Sequence, residues 1–212
     1  MAVQPLARCA LVAIVLTAVA TAATARADLF DDLYQRGFKQ NGALRTLTAR
    51  FTETTTSSLL TRPLVARGTA SVERPARVAL RYTEPDERVV IIDGGKMTLA
   101  WPARAVLQTR DVGAAQGRVQ KYFIDSSPEE LRSHFDVRAR ELDGRSGYLI
   151  TMLPKRKQIK EGLTRLELSI DPETLLMAAM TMTFPNGDTK QMTFEDVKPN
   201  APLDPAVFRA TR

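Results

Sequence analysis

A change of period divides the chain. Across residues 28–44, Leu29, Leu33, Phe38 and Leu44 recur near helical spacing, which predicts one amphipathic helix interrupted at Gly37 and Gly42. Beyond it the period falls to two. Leu47, Ala49 and Phe51 alternate with Thr48, Arg50 and Thr52, and Thr54-Thr55-Thr56 suits an extended, half-exposed strand. Val78, Leu80 and Tyr82 alternate with Arg77, Ala79 and Arg81. An apolar run at residues 89–92 ends in Asp93-Gly94-Gly95, and Met97, Leu99 and Trp101 resume the alternation. The Asp-Gly-Gly step predicts a hairpin turn.

A second group of strand segments covers residues 148–153, 163–170, 175–184 and 189–197. Its last pair is joined at Pro185-Asn186-Gly187-Asp188, the strongest short hairpin signal in the sequence. Between the groups, residues 114–134 carry Val119, Phe123 and Leu131. Ser127-Pro128-Glu129-Glu130 there has the form of a helix start with proline in the first turn. Two short helices, or one helix and a loop, are expected.

About nine to eleven mostly antiparallel strands, each with one apolar face, and two or three helices point to a single domain built on one strongly curved sheet. A sheet of that size curls. If it stops short of closing, the helices cover its concave side as the plug of an incomplete barrel, and a ligand has room between plug and sheet.

Composition narrows the chemistry. The chain has 212 residues, 44% hydrophobic and 25% charged, with one cysteine, Cys9, and one histidine, His134. No disulfide framework, thiolate metal site or common Ser-His or Cys-His nucleophile arrangement follows from such counts. There is no glycine-rich phosphate loop and no metal-ligand spacing, so no cofactor is expected. Glu84-Pro85-Asp86-Glu87 gathers carboxylates around a proline between two strand signals, which is the pattern of a solvated turn rather than an acid–base pair. The expectation is a protein that is not an enzyme.

Residues 1–27 hold an early Arg8, an apolar stretch at residues 9–20 and Ala25-Arg26-Ala27. This is the pattern of a secretory signal peptide with an A-x-A cleavage site. The mature chain, residues 28–212, would hold 28 basic and 24 acidic residues, too mild an excess to call for nucleic acid. Lys155-Arg156-Lys157 with Lys160 is the most basic stretch. It marks an exposed loop, with docking to an acidic partner or lipid headgroups as its other meaning.

Met177, Met180, Met182 and Met192 fall on adjacent strand segments, and Met180, Met182 and Phe184 share one strand parity. Methionine adapts to irregular apolar shapes, so these residues either fill a core or hold flexible hydrocarbon. Arg74 is held extended by Pro75, and parity places it on the same inner side as Val72. Its five donors need acceptors, either carbonyls of a covering helix or a surface acid such as Glu73 or Glu84.

Phe51-Thr52-Glu53, residues 68–72, Glu73-Arg74-Pro75, residues 82–85, residues 90–94 and Trp101-Pro102 stand in the order and near the spacing of the periplasmic outer-membrane lipoprotein carrier family, LolA. Leu153-Pro154-Lys155 and residues 200–208 are also similar. The resemblance implies an incomplete barrel of about eleven antiparallel strands under a helical lid, a periplasmic location, and acylated lipoproteins as cargo. It further implies an inner-membrane ABC exporter as donor and an outer-membrane lipoprotein receptor as acceptor, for a carrier expected to be monomeric. By the same resemblance Arg74 holds the lid to the empty cavity, and Val78, Leu80, Val90 and Ile92 face the cavity. With the parity reading, the expected lipid-binding set is Phe51, Val72, Val78, Leu80, Tyr82, Val90, Ile92, Leu99, Met180, Met182 and Phe184. Two departures keep a second cargo class, another lipid or lipid-like molecule, in view: Glu53 stands where the family usually has glutamine, and residues 113–134 are more charged than expected. An envelope lipid sensor is a third reading, but 185 residues leave no space for the second domain it would need.

Overall fold

The computed structural model describes residues 28–75, 77–111, 127–144 and 146–210. In chain order the strands are β1 (Thr46–Thr56), β2 (Leu64–Glu73), β3 (Arg77–Glu84), β4 (Arg88–Asp93), β5 (Lys96–Trp101), β6 (Val106–Asp111), β7 (Phe135–Glu141), β8 (Tyr148–Pro154), β9 (Arg165–Ile170), β10 (Met177–Thr183) and β11 (Thr189–Pro199). The helices are α1 (Leu29–Asn41), α2 (Pro128–His134) and the single turn α3 (Lys157–Lys160). All eleven strands join one antiparallel sheet in the order β6-β5-β4-β3-β2-β1-β11-β10-β9-β8-β7. β6 and β7 are its two edges, so the sheet is open, in agreement with the expected eleven-stranded antiparallel architecture.

The local signals act where they stand. Gly94 and Gly95 form the β4–β5 turn with φ of 56° and 84°, the left-handed conformation that a two-residue hairpin needs and glycine adopts without a Cβ penalty. In the β10–β11 turn the Phe184 N–H donates to the Asp188 carbonyl at 2.9 Å. α2 opens at Ser127, whose hydroxyl accepts from the Glu130 N–H at 3.2 Å, with Pro128 in the first turn. The helix or loop expected before it falls largely on residues 112–126, outside the described residues. Three strands had no alternation read in advance: β2, entered only through the parity of Val72 and Arg74; β6, mostly exposed; and β7, where Arg138 and the acids of a charged edge obscure the pattern.

Register fixes the two faces of the sheet, because cross-strand partners point the same way. The inner face carries Leu47, Ala49, Phe51 and Glu53 of β1, opposite Val72, Ala70, Gly68 and Ala66 of β2. On the β7–β10 half this face is sealed. Phe30 of α1 and Leu131 of α2 form one buried cluster with Phe135, Val137, Ile150, Met152, Leu166 and Leu168. Asp28 caps α1 by accepting from the Phe30 N–H at 3.0 Å, and Arg132 of α2 reaches the Asp28 and Asp31 carboxylates at 2.6 and 3.1 Å. At its other end Gln40 and Asn41 donate to the carbonyls of Glu173 and Thr174.

The outer face of β3–β5 is covered by the C-terminal segment. Phe208 is buried with Ala79, Val89, Ile91 and Ala100, and Leu203, Val207 and Ala210 pack around them. The Arg81 guanidinium donates to the carbonyls of Ala206, Val207 and Arg209 at 3.2, 2.9 and 2.8 Å. Arg77 lies 4.3 Å from the Phe208 ring centroid, a cation–π contact.

Candidate lipid-binding site

The inner face of β2–β5 is apolar and only half covered. Val72 pairs with Val78, Val78 with Ile92, and Ile92 with Met97; Ala70 pairs with Leu80, Leu80 with Val90, and Val90 with Leu99. These pairs place Val72, Val78, Leu80, Val90, Ile92, Met97 and Leu99 on one continuous wall. Every one is partly exposed, and Val72, Val78, Ile92, Met97 and Leu99 belong to none of the buried clusters of the described residues. Beyond the two intervening strands β1 and β11, the inner face is closed by Phe30 and Leu131. The molecule therefore keeps one half of the same face sealed and presents the other as branched aliphatic side chains.

The remaining expected residues divide. Phe51 and Tyr82 are on the inner face but fully buried against each other, ring centroids 4.9 Å apart and planes at 80°. They meet over Gly68, which pairs with both. A Cβ on Gly68 would stand 2.1 Å from the Arg81 carbonyl oxygen, so the missing side chain admits both the close strand approach and the ring contact. Met180 and Met182 also face inward, but pack against the sealed cluster. Phe184 lies past the end of β10, in the turn.

Arg74 follows β2 in the turn to β3, and its N–H donates to the Arg45 carbonyl at 2.9 Å. Both surface acids suggested as its partners are taken by other arginines. Glu73 accepts from Arg77 and Glu84 from Arg67, each at 2.7 Å. No side-chain bond of Arg74 is found among the described residues.

The inner face also holds a charged cluster that sequence reasoning left out of the site, centred on Glu53 and including Arg88 and Lys190, the cross-strand partners of Tyr82 and Met182. Glu53 is 4% exposed. Its carboxylate accepts from the Tyr82 hydroxyl at 2.7 Å and lies 3.2 Å from Arg88 and 3.3 Å from Lys190. Arg88 in turn stacks over the Tyr82 ring at 3.8 Å. Burial pushes the Tyr82 phenol well above its ordinary range, and the hydrogen bond to Glu53 adds to this. A signal was available: Glu53 is two residues beyond Phe51 on an alternating strand, so parity turns it inward. The cluster ties β1, β3, β4 and β11 together at one end of the apolar wall.

His134 is buried at the end of α2, and among the described residues no group of His, Cys, Asp and Glu is arranged to hold a metal ion. The turn at residues 84–87 is exposed, as a solvated turn requires. None of the described helices is long and apolar enough to cross a membrane.

An open antiparallel sheet, helix-covered on one half of its inner face and aliphatic on the other, is the architecture of a lipid or lipoprotein carrier. The chain belongs to the outer membrane lipoprotein carrier protein LolA family, whose model matches residues 42–211. It is 29% identical over 183 residues to the outer-membrane lipoprotein carrier protein of Methylibium petroleiphilum, covering 86% of this chain and 84% of that protein. With the protein of the same name from Pseudoalteromonas translucida it shares 24% over 180 residues, 81% and 79% of the two chains. Among solved structures it is similar in fold to an uncharacterized conserved protein from Thermus thermophilus, with a TM-score of 0.53 at 10% identity, covering 85% of this chain and 93% of that one. The family's members are binding proteins, so the chain is not an enzyme, as its residues had suggested.

Proposed function

We propose that the protein is a periplasmic carrier that takes up the acyl chains of lipoproteins on the inner wall of β2–β5 and moves them from the inner to the outer membrane. The observation that carries this reading is the half-exposed wall of Val72, Val78, Leu80, Val90, Ile92, Met97 and Leu99. A packed core would not leave seven aliphatic side chains partly open on one face beside a half that is sealed. Each methylene kept from water is worth about 0.8 kcal/mol, so one long acyl chain represents on the order of 10 kcal/mol. Lipid on that scale crosses an aqueous compartment only inside a container.

In this reading residues 1–27 are a signal peptide, residues 28–212 the carrier domain, and Arg74 the residue that holds the closed, empty state. An inner-membrane ABC exporter would load the carrier and an outer-membrane lipoprotein receptor would unload it, the carrier acting as a monomer. Purification from the periplasm of its own host, with mass spectrometry of the co-purified lipid, tests the cargo. Triacylated peptides are expected; a glycolipid or pigment would replace lipoprotein as the cargo, and absence of any lipid would end the carrier reading. The same preparation carrying Leu80→Glu and Val90→Glu should come out without lipid.

A further inference from the structure

The end of the sheet that holds the β1–β2 connection has a feature the carrier function does not use. Leu59 is 89% exposed at the tip of this hairpin, and Leu64 and Val65 behind it are 55% and 43% exposed. The turn is ordered by its own bonds: the Leu60 N–H donates to the Ser57 carbonyl at 3.1 Å and the Leu59 N–H to the Ser57 hydroxyl at 3.2 Å. β2 pairs with β3 only from Arg67 onward, so residues 64–66 and the tip project past the end of β3, by roughly 10 Å at the rise of a strand. An aliphatic tip is thus held out in water with no packing role.

The same end is basic. Thr56 pairs with Thr189, Thr189 with Thr183, and the Thr164 N–H donates to the Thr183 carbonyl at 2.8 Å. The β8–β9 connection that ends at Thr164 therefore lies at this same end, about three strand spacings, roughly 15 Å, from the base of the hairpin at Thr56. It carries exposed Lys155, Arg156, Lys157 and Lys160 against Glu161, and the tip itself carries exposed Arg62. Among the described residues Arg62, Arg156, Lys157 and Lys160 form no ion pair. Of the acids at this end, Glu84 is matched by Arg67 at 2.7 Å and Asp86 by Arg104 at 4.0 Å, while Glu87 and Asp188, like Glu161, form no ion pair among the described residues.

We propose that this end docks on an anionic lipid bilayer, with Leu59 entering the headgroup region and the β8–β9 cations lying over the phosphates. Aliphatic insertion and unpaired cations around it are the two components of reversible interfacial binding. A protein pocket would call for a fixed acceptor geometry, whereas these cations are spread on flexible side chains over the width of several strands. The proposal is independent of what the inner wall carries.

The test is co-sedimentation of the purified protein, in the form the cell accumulates, with phosphatidylglycerol and with phosphatidylcholine vesicles. Binding is expected to the first and not the second, and to fall with added salt. Leu59→Asp should lower partitioning at least ~10-fold, and Lys157→Glu with Lys160→Glu more than ~20-fold, at ~5-fold for each charge removed. Leu59→Trp in a Trp101→Phe background should shift its emission to the blue on vesicles and be quenched by brominated lipid. Equal binding to both vesicles, binding indifferent to Leu59→Asp, or a solvent-exposed Trp at position 59 would overturn the proposal. So would loss of a protein partner, rather than of vesicle binding, in the same variants. Because Leu59 is exposed, the variants keep the fold, and loss of vesicle binding with lipid cargo retained separates this proposal from the carrier reading.

Discussion

Removing the Glu53 carboxylate is the sharpest probe of how the inner face is held together. Glu53 is 4% exposed, and its three partners are Tyr82 at 2.7 Å, Arg88 at 3.2 Å and Lys190 at 3.3 Å. Breaking a buried ion pair by deleting one partner costs about 3–5 kcal/mol when the other charge is stranded. Here the stranded side chains keep water, Arg88 at 34% and Lys190 at 33% exposure, so the charge penalty falls below that range, to about 1–2 kcal/mol, and the lost acceptor of a buried phenol adds about 1 kcal/mol. Glu53→Ala should destabilise by about 2–3 kcal/mol. Glu53→Gln keeps the volume and an acceptor for Tyr82, and should lose about 1 kcal/mol. In a domain of this size 1 kcal/mol moves Tm by about 2–4 °C, so thermal unfolding should rank wild type above Glu53→Gln above Glu53→Ala, the last lower by roughly 4–12 °C. Glu53→Met as stable as wild type would refute the reasoning, since desolvation of the carboxylate would then offset everything it gains from its partners.

Arg74→Leu should still load acylated cargo but pass less of it to an acceptor, read by transfer from loaded protein to acceptor-bearing membranes; normal hand-off would remove Arg74 from the mechanism. Gly68→Ala places a Cβ 2.1 Å from the Arg81 carbonyl oxygen, and with overpacking of about 1–3 kcal/mol or more its urea midpoint should drop well below that of the wild type. The raised phenol pKa of Tyr82 means the folded state resists losing that proton. Its contribution is intact below the ordinary phenol value of 10.0 and is lost as pH rises toward the folded value, at about 1.4 kcal/mol per pH unit; Tyr82→Phe should flatten this alkaline decline in stability. Phe208→Ala should cost about 3–5 kcal/mol and raise amide exchange in β3–β5 first, which hydrogen exchange would localise.

The alternation of two was enough to place most of the sheet, because each strand with a solvated face announces its parity. β1, β3, β5 and β11 are legible for that reason, β4 as a short unbroken apolar run, and the turns at Gly94-Gly95 and Asn186-Gly187 from their glycines. β6 and β7 are not, because edge strands have only one partner and carry charge in place of the pattern: Arg110 and Asp111 on one, Asp136, Arg138 and Arg140 on the other. Of the wall residues, parity grouped Val72, Val78, Leu80 and Leu99 by strand face, and the family resemblance added Val90 and Ile92. What parity does not reveal is depth. Phe51 and Tyr82 share the face of Val78, yet Gly68 between them lets their rings meet and close. Glu53 was readable by position and overlooked by type, since an inward carboxylate gains meaning only when Arg88 and Lys190, far away in sequence, are seen beside it.

The proposed role of the apolar wall raises a question of stability, because side chains that a ligand would cover only part of the time contribute little when it is gone. The alternating strand supplies the answer. In β3–β5 the residues between the wall positions, Ala79, Val89, Ile91 and Ala100, point outward and are buried beneath Phe208, while Arg81 binds the carbonyls on either side of it. The empty half of the sheet is therefore stabilised from behind, by a segment that does not touch the wall. On the β7–β10 half the burden is reversed: the inner face is sealed by Phe30 and Leu131, and the outer face carries exposed charge such as Arg138 and Arg140. Each half buries one face well, and they are opposite faces. On the proposed function, a carrier folded this way would keep its shape whether loaded or empty, so cargo affinity would be set by the wall alone and could stay low enough for release.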